Sequence, residues 1–191
     1  MEKNRLEAFS DGLIAVIITI IVLEFKAPHA TDFAALRTLA PTFLVYVLSF
    51  VNVVIYWNNH HHLVGAASKI DGRVMWSNLH LLFWLSLVPF CTNWIGEHQL
   101  EAVPTALYGV VLFASAIAFI GSQASLAAMP ENAELASMVG TDIKGKLSLG
   151  HYAIAIVMAF VKQWISDALF VAVAMIWFVP DRRIEKRVAA R

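Results

Sequence analysis

The stretch RLEAFSDGLIAVIITIIVLEF, residues 5–25, decides how the rest of the chain is read. Between residues 13 and 23 only Thr19 is polar, yet Arg5, Glu7, Ser10 and Asp11 crowd the start. As a helix, a segment of this length rises roughly 31 Å. That is close to the hydrocarbon thickness of a bilayer, about 30 Å. The segment reads as a membrane crossing with an acidic side chain more than a turn inside it.

The remaining sequence supports that reading. Hydrophobic residues make up 59% of the 191 positions and charged residues only 15%, against about 25% in soluble domains. Residues 38–68, 74–96 and 102–130 contain no Asp, Glu, Lys or Arg. Each exceeds the roughly 20 residues that one crossing needs. The expected fold is an all-α polytopic membrane protein with six transmembrane helices in one domain, residues 1–191. The expected spans are about 7–25, 36–58, 74–94, 103–127, 147–161 and 165–179. The segment between 129 and 146, with Pro130, Gly140 and Gly145, reads as a surface loop. The last two spans form a tight hairpin around Lys162. No internal repeat emerges, which argues against an inverted-repeat transporter.

Lys and Arg set the expected orientation. Lys3, Arg5, Lys69, Arg73, Lys144, Lys146 and five tail residues from Arg182 to Arg191 fall on one side, eleven in all. Only Lys26, Arg37 and Lys162 fall on the other. The positive-inside rule then places both termini in the cytoplasm. The first segment has an acidic as well as basic start and no small-residue cleavage site, so it is expected to stay in the mature protein. The tail PDRRIEKR, residues 180–187, reads as a solvated helix end near anionic headgroups.

Net charge is zero, so no basic surface suggests nucleic acid. Cys91 is the single cysteine and reads as a small apolar filler. No nucleophile–base pairing or phosphate loop appears, and no enzyme activity is expected. His60, His61 and His62 are consecutive, so on a helix they point about 100° apart and do not converge on one ion. None has a His, Cys, Asp or Glu three or four residues away within its span. No metal or cofactor is expected. Trp76, His80 and Trp84 read as a packing stripe on the third span, His151 as interfacial, and Lys162 and Asp167 as a pair flanking the last hairpin. Trp57, Trp94, Trp164 and Trp177 lie near span ends, as interfacial aromatics do.

Under this topology the starts of the first span and the end of the second share one depth. Asp11 sits roughly 9 Å deeper than Arg5. An unpaired Asp at the bilayer centre costs roughly 2.5–3.5 kcal/mol on insertion scales, so it needs a partner. Arg5, Trp57, Asn58, Asn59 and the histidines lie at the right depth. The role of Asp11 is then a polar packing anchor or, on the other reading, a titrating or ion-contacting group. At about 100° per residue, Phe9, Gly12, Val16, Ile20 and Leu23 fall on one line with Thr19 close by. Asp11, Ile14, Ile18 and Ile21 fall on the far side. Either face suits a conduit, and periodicity alone does not choose.

Three motifs give the chain a family resemblance. Arg5-x-x-x-Phe9-Ser10-Asp11 opens an apolar helix, YWNNHHHL (residues 56–63) ends the second span, and WFVPDRR (177–183) ends the sixth. Together these resemble the bacterial branch of the transmembrane-protein-175 family of potassium channels. The resemblance implies a homotetramer in a bacterial plasma (inner) membrane, with four first helices around a pore that admits monovalent cations, K⁺ first. No Thr-Val-Gly-Tyr-Gly filter is present. The family's apolar ring matches Val16, with further layers at Ile20 and Leu23 and a polar layer at Thr19. Val16 departs from the Ile or Leu usual at the ring. Glu24 lies where an acidic ring would face the outer mouth. The resemblance also implies a structural hydrogen-bond network of Arg5, Phe9, Ser10, Asp11, Trp57, Asn59, His60 and His61. The expected partners are then a lipid bilayer, three further copies and permeant K⁺ ions. Two other readings stand beside this one: a proton-coupled membrane transporter and a histidine-ligated intramembrane redox or metal protein.

Overall fold

The computed structural model describes residues 3–28, 31–98, 101–139 and 142–178. Among the described residues all regular structure is helical: α1 (Lys3–Leu23), α2 (Phe33–Thr38), α3 (Ala40–Ala66), α4 (Gly72–Ser86), α5 (Val88–Glu97), α6 (Ala102–Ala127), α7 (Ala133–Val139), α8 (Ile143–Met158) and α9 (Gln163–Phe178), with a 3₁₀ turn at Pro130–Asn132. Four segments are long and apolar enough to cross a membrane: α1, α3, α4 with α5, and α6. The two last helices, α8 and α9, are 16 residues each. The tail motif beyond residue 178 lies outside the described residues.

α6 is the hub. It packs against α4 and α5 on one side and α8 and α9 on the other, while α1 lies against α3, α4 and α5. Of the most apolar stretch of α6, 61% is buried within the chain, against 28% in α1 and 17% in α3. α1 and α3 therefore carry much apolar surface that must meet lipid or another copy of the chain. Gly109 lets α6 approach its neighbours closely. A Cβ there would lie 2.8 Å from Ile156 Cγ1 and 3.1 Å from the ring tip of Phe170.

Three expected boundaries differ from what is observed, each for a physical reason. The second span does not stop at residue 58: α3 continues to Ala66, because its polar end finds partners inside the protein. Asn59 Nδ2 donates to Ile55 O within the helix, and His60 is buried at 1% exposure. The third span is two helices that meet at Leu87. Pro89 has no N–H to continue the ladder, and its ring clashes with the carbonyl four residues back. The fifth helix starts at Ile143, earlier than expected, because Asp142 caps it by accepting from Gly145 N at 2.8 Å.

The loop around residues 65–71 is held by side chains rather than left to solvent. Asn132 Oδ1 accepts from the backbone N–H groups of Ser68 and Lys69, and its Nδ2 donates to Lys69 O and Leu126 O. Lys3 Nζ donates to Gly65 O and Ala67 O, tying the start of α1 to the end of α3. Lys69 pairs with Glu131 at 3.3 Å. Glu131 sits below the usual carboxylate range, first through its own backbone hydrogen bond and then through Lys69. No ion pair joins Lys162 to Asp167. The two were expected to meet outside the last hairpin, but among the described residues the ion pairs are Lys26–Glu97, His61–Glu7 and Lys69–Glu131.

Candidate functional site

α1 divides into two faces. Leu6, Ser10, Ile14, Ile17 and Ile21 are buried, the three isoleucines to 1–2% exposure. Phe9, Val16, Ile20 and Leu23 are open, Val16 at 52% and Leu23 at 73%, and Gly12 and Thr19 lie on the same open stripe. Arg5 continues that stripe at the start of the helix and is exposed. Among the described residues it makes no hydrogen bond or ion pair. The face with Val16 thus points out of the chain, and the isoleucine face packs into it.

The buried face is fastened by a directional chain of hydrogen bonds. Ser10 Oγ donates to Leu6 O at 2.8 Å, which leaves its oxygen to accept from Asn78 Nδ2 at 2.9 Å. Asn78 Oδ1 lies 2.7 Å from His60 Nε2. Since the amide oxygen can only accept, His60 carries its proton on Nε2. This chain links α1, α4 and α3 at one depth. Beside it, Trp57 Nε1 donates to Asp11 Oδ1 at 2.9 Å. His61 Nδ1 lies 3.1 Å from Glu7 Oε1, and its ring stacks on Trp57 at 6.0 Å.

The expected network is therefore partly assembled within one chain. Ser10, Asp11, Trp57, His60 and His61 join it, together with Glu7. Phe9 faces outward, Arg5 stands apart, and Asn59 bonds only to its own helix. Asn78 is the residue that sequence reasoning missed. A lone amide in a charge-free span is expensive unless it is paired, and that cost was the available signal. Asp11 points toward α3 and away from the Val16 stripe. The three histidines diverge: His60 meets Asn78, His61 meets Glu7, and His62 lies edge-on to His61 at 5.8 Å.

Thr19 is the single hydroxyl on the open stripe. Its Oγ1 donates to Ala15 O at 2.8 Å. The proton is thereby committed to the helix, and the oxygen lone pairs are left facing the open side. Such an oxygen accepts hydrogen bonds or contacts a cation, but has no hydrogen left to offer. Glu24 is exposed just past the end of α1. The C-terminal end of the helix is held by Phe25, Phe43, Tyr46 and Phe50, whose successive ring centroids lie 6.0–6.2 Å apart. Lys26 forms an ion pair with Glu97 at the end of α5. The hydrogen bond to that carboxylate holds the ammonium above its ordinary pKa.

The arrangement has counterparts among known proteins. A family model described as endosomal/lysosomal potassium channel TMEM175 matches residues 5–89, from the motif arginine to the proline break. A potassium channel of Chryseobacterium sp. (strain P1-3) is 46% identical over 187 residues, 97% of this chain and 97% of the relative. A potassium channel of Streptomyces collinus (strain DSM 40733 / Tue 365) is 36% identical over 126 residues, 62% of this chain and 61% of the relative. The fold matches the crystal structure of a lysosomal potassium-selective channel TMEM175 homolog from Chamaesiphon minutus with a TM-score of 0.78, at 27% identity, over 92% of this chain and 96% of that one.

Proposed function

Because the chain belongs to the TMEM175 family of membrane channels, we propose that it is a potassium-preferring cation channel whose conduit is lined by α1. The single observation that carries the assignment of the conduit is the outward apolar stripe of Phe9, Gly12, Val16, Ile20 and Leu23 on a helix whose opposite face is fastened to its own bundle. A helix pinned this way presents the same stripe in every copy. Four copies around one axis would enclose a pore walled by α1 alone. Six crossings, with α8 and α9 as the last two, put both termini in the cytoplasm of a bacterial plasma membrane and keep the motif residues at the inner end.

In this reading Val16, Ile20 and Leu23 form apolar rings, and Val16 or Ile20 is the narrowest. Narrow apolar rings gate by dewetting, and widening one lets a partly hydrated ion pass. K⁺ holds its water less tightly than Na⁺ and loses less free energy when it sheds part of that shell. Four Thr19 oxygens, each with its hydrogen turned to Ala15, replace some of the lost ligands. Glu24 draws cations to the outer mouth. Asp11, held by Trp57 on the far face, acts through packing. No cofactor takes part beyond the permeant K⁺ ions.

The test is flux from liposomes holding the purified protein, under a K⁺ gradient opposed by Na⁺. A fast K⁺-dependent current that needs no counter-substrate is the expected result. Saturating exchange that requires a second substrate would replace the channel with a carrier. Val16→Ala and Ile20→Ala are expected to change conductance or ion preference. If neither does, α1 does not line the conduit.

A further inference from the structure

A second site lies away from the α1 stripe, in a crevice between α3 and the α6–α8–α9 group. Its walls include Asn52, Tyr56 and Asn59 of α3, Phe119 of α6, Tyr152 of α8 and Trp177 of α9. We propose that this crevice binds an anionic phospholipid, with the headgroup phosphate at Lys144 and the first part of an acyl chain against the aromatic walls.

The first argument is depth. Gly145, Ser148 and Tyr152 line the crevice from one face of α8, so it runs roughly 10 Å along the helix. Lys144 stands at its mouth, with Nζ 5.8 Å from the centre of the Trp177 ring. The ring is itself held, since Trp177 Nε1 donates to Ser148 Oγ at 2.8 Å. A cation and an interfacial aromatic at the rim, with aromatic walls below, match the order of phosphate, glycerol and acyl chain in a bilayer leaflet. Under the orientation proposed above, that leaflet is the cytoplasmic one.

The second argument is the polar groups. Tyr152 lines the crevice and is only 2% exposed, and its hydroxyl makes no hydrogen bond among the described residues. That hydroxyl is able to donate to an ester carbonyl at the glycerol level. Other donors along the wall are already engaged. Tyr56 OH donates to Leu112 O, Asn52 Nδ2 to Leu48 O and Asn59 Nδ2 to Ile55 O. Asp142 lies near the mouth: its Oδ1 caps α8 by accepting from Gly145 N, and its Oδ2 is buried without a hydrogen bond.

The third argument is size. The crevice has a cavity volume of about 30 Å³, against about 420 Å³ of space between its walls when the open side is counted. The cavity takes one or two waters and no organic molecule. An occupant must therefore lie along the open side. In the membrane-spanning reading proposed above, a lipid is at hand there and a soluble metabolite is not.

The test uses the full chain in phosphatidylcholine vesicles doped with brominated phosphatidylglycerol or, separately, brominated phosphatidylcholine. Bromine on an acyl chain quenches tryptophan at contact range. The Trp177 contribution is the difference between the native chain and Trp177→Phe. The brominated glycerol lipid is expected to quench Trp177 at a severalfold lower mole fraction than the choline lipid. Lys144→Gln should bring the two curves together, and Tyr152→Phe should move both to higher mole fractions. Coincident curves in the native chain would remove the headgroup preference and with it the site. No quenching of Trp177 by either lipid would mean that a second copy or water alone fills the crevice. Should Trp177→Phe fail to fold, phospholipid retained through detergent purification is compared between the native chain and Tyr152→Phe. Equal retention would also overturn the proposal. K⁺ flux from the same vesicles keeps the two readings separate. Quenching without flux removes the channel and leaves the lipid site, and flux without quenching does the reverse.

Discussion

Along α1, the buried face of Leu6, Ser10, Ile14, Ile17 and Ile21 and the open face of Phe9, Gly12, Val16, Ile20 and Leu23 are almost equally apolar. They differ in what their few polar groups are bonded to. On the buried side Ser10 is locked between Leu6 O and Asn78, and Asp11 at its margin accepts from Trp57. On the open side Thr19 is bonded only to its own helix, and Arg5 makes no hydrogen bond or ion pair among the described residues. In lipid, greasy surface alone does not decide which way a helix turns, because its alternatives are equally greasy. Polar partners decide it. The comparison therefore predicts that substitutions on the two faces have different kinds of effect.

The largest loss of stability is expected from Asn78→Leu. It leaves both His60 and Ser10 without their partner. Each orphaned buried group costs about 1–3 kcal/mol, less where the unfolded helices find other partners in the membrane. The expected outcome is a clear fall in the thermal midpoint of the purified protein and less assembled material on gel filtration. A native-like midpoint would show that α1 is held by apolar contact alone, and the contrast between the faces would collapse. Asp11→Ala is expected to come next, through loss of the Trp57 bond. It should reduce stability more than ion preference. A well-folded Asp11→Ala protein that has lost selectivity would instead turn the acidic side toward the ions.

The open face should behave in the opposite way. Val16→Asn or Ile20→Asn places a polar ring where dewetting closes the path. Conductance is expected to rise severalfold in bilayer recordings while the thermal midpoint stays near native. Thr19→Val should leave stability unchanged and lower the preference for K⁺, because it removes the one stripe oxygen free to accept. Thr19→Ser should retain that preference. If the Thr19 pair behave alike, the hydroxyl contributes nothing to the ions.

How much of this was legible beforehand depended on the kind of signal. Long charge-free runs reveal helices because they state a solvent preference over many residues. The α8–α9 hairpin and the shared depth of Asp11 and Trp57 followed from span order and charge placement. Interruptions and pairings were harder to read. Asn58 to His62 read as the end of the second span and as partners for Asp11, and only the positions of Glu7 and Asn78 reveal that α3 continues through them into protein. Pro89 announces a break, but a hydropathy reading of residues 74–96 does not count N–H groups. Asn78 and Asn132 are single polar residues with partners as far as 68 and 64 residues away, and one sequence has no term for that distance.

The smallest effect is expected just past the C-terminal end of α1, where Lys26 meets Glu97. Both side chains are largely in solvent, at 74% and 45% exposure, and exposed pairs contribute little. The sign of the contribution is nevertheless fixed. Lys26 is raised above its ordinary 10.5 by the Glu97 hydrogen bond. A raised lysine stabilises fully below the unfolded pKa and stops doing so as pH climbs through the folded one. Lys26→Gln should therefore speed amide exchange in the last turn of α1 at neutral pH by a small factor, with no change around Ser10. Above the ordinary lysine range the native chain should drift toward the variant, because its own ammonium is then lost. A difference that persists at high pH would mean that the aliphatic stem of Lys26, and not its charge, holds this end of the helix.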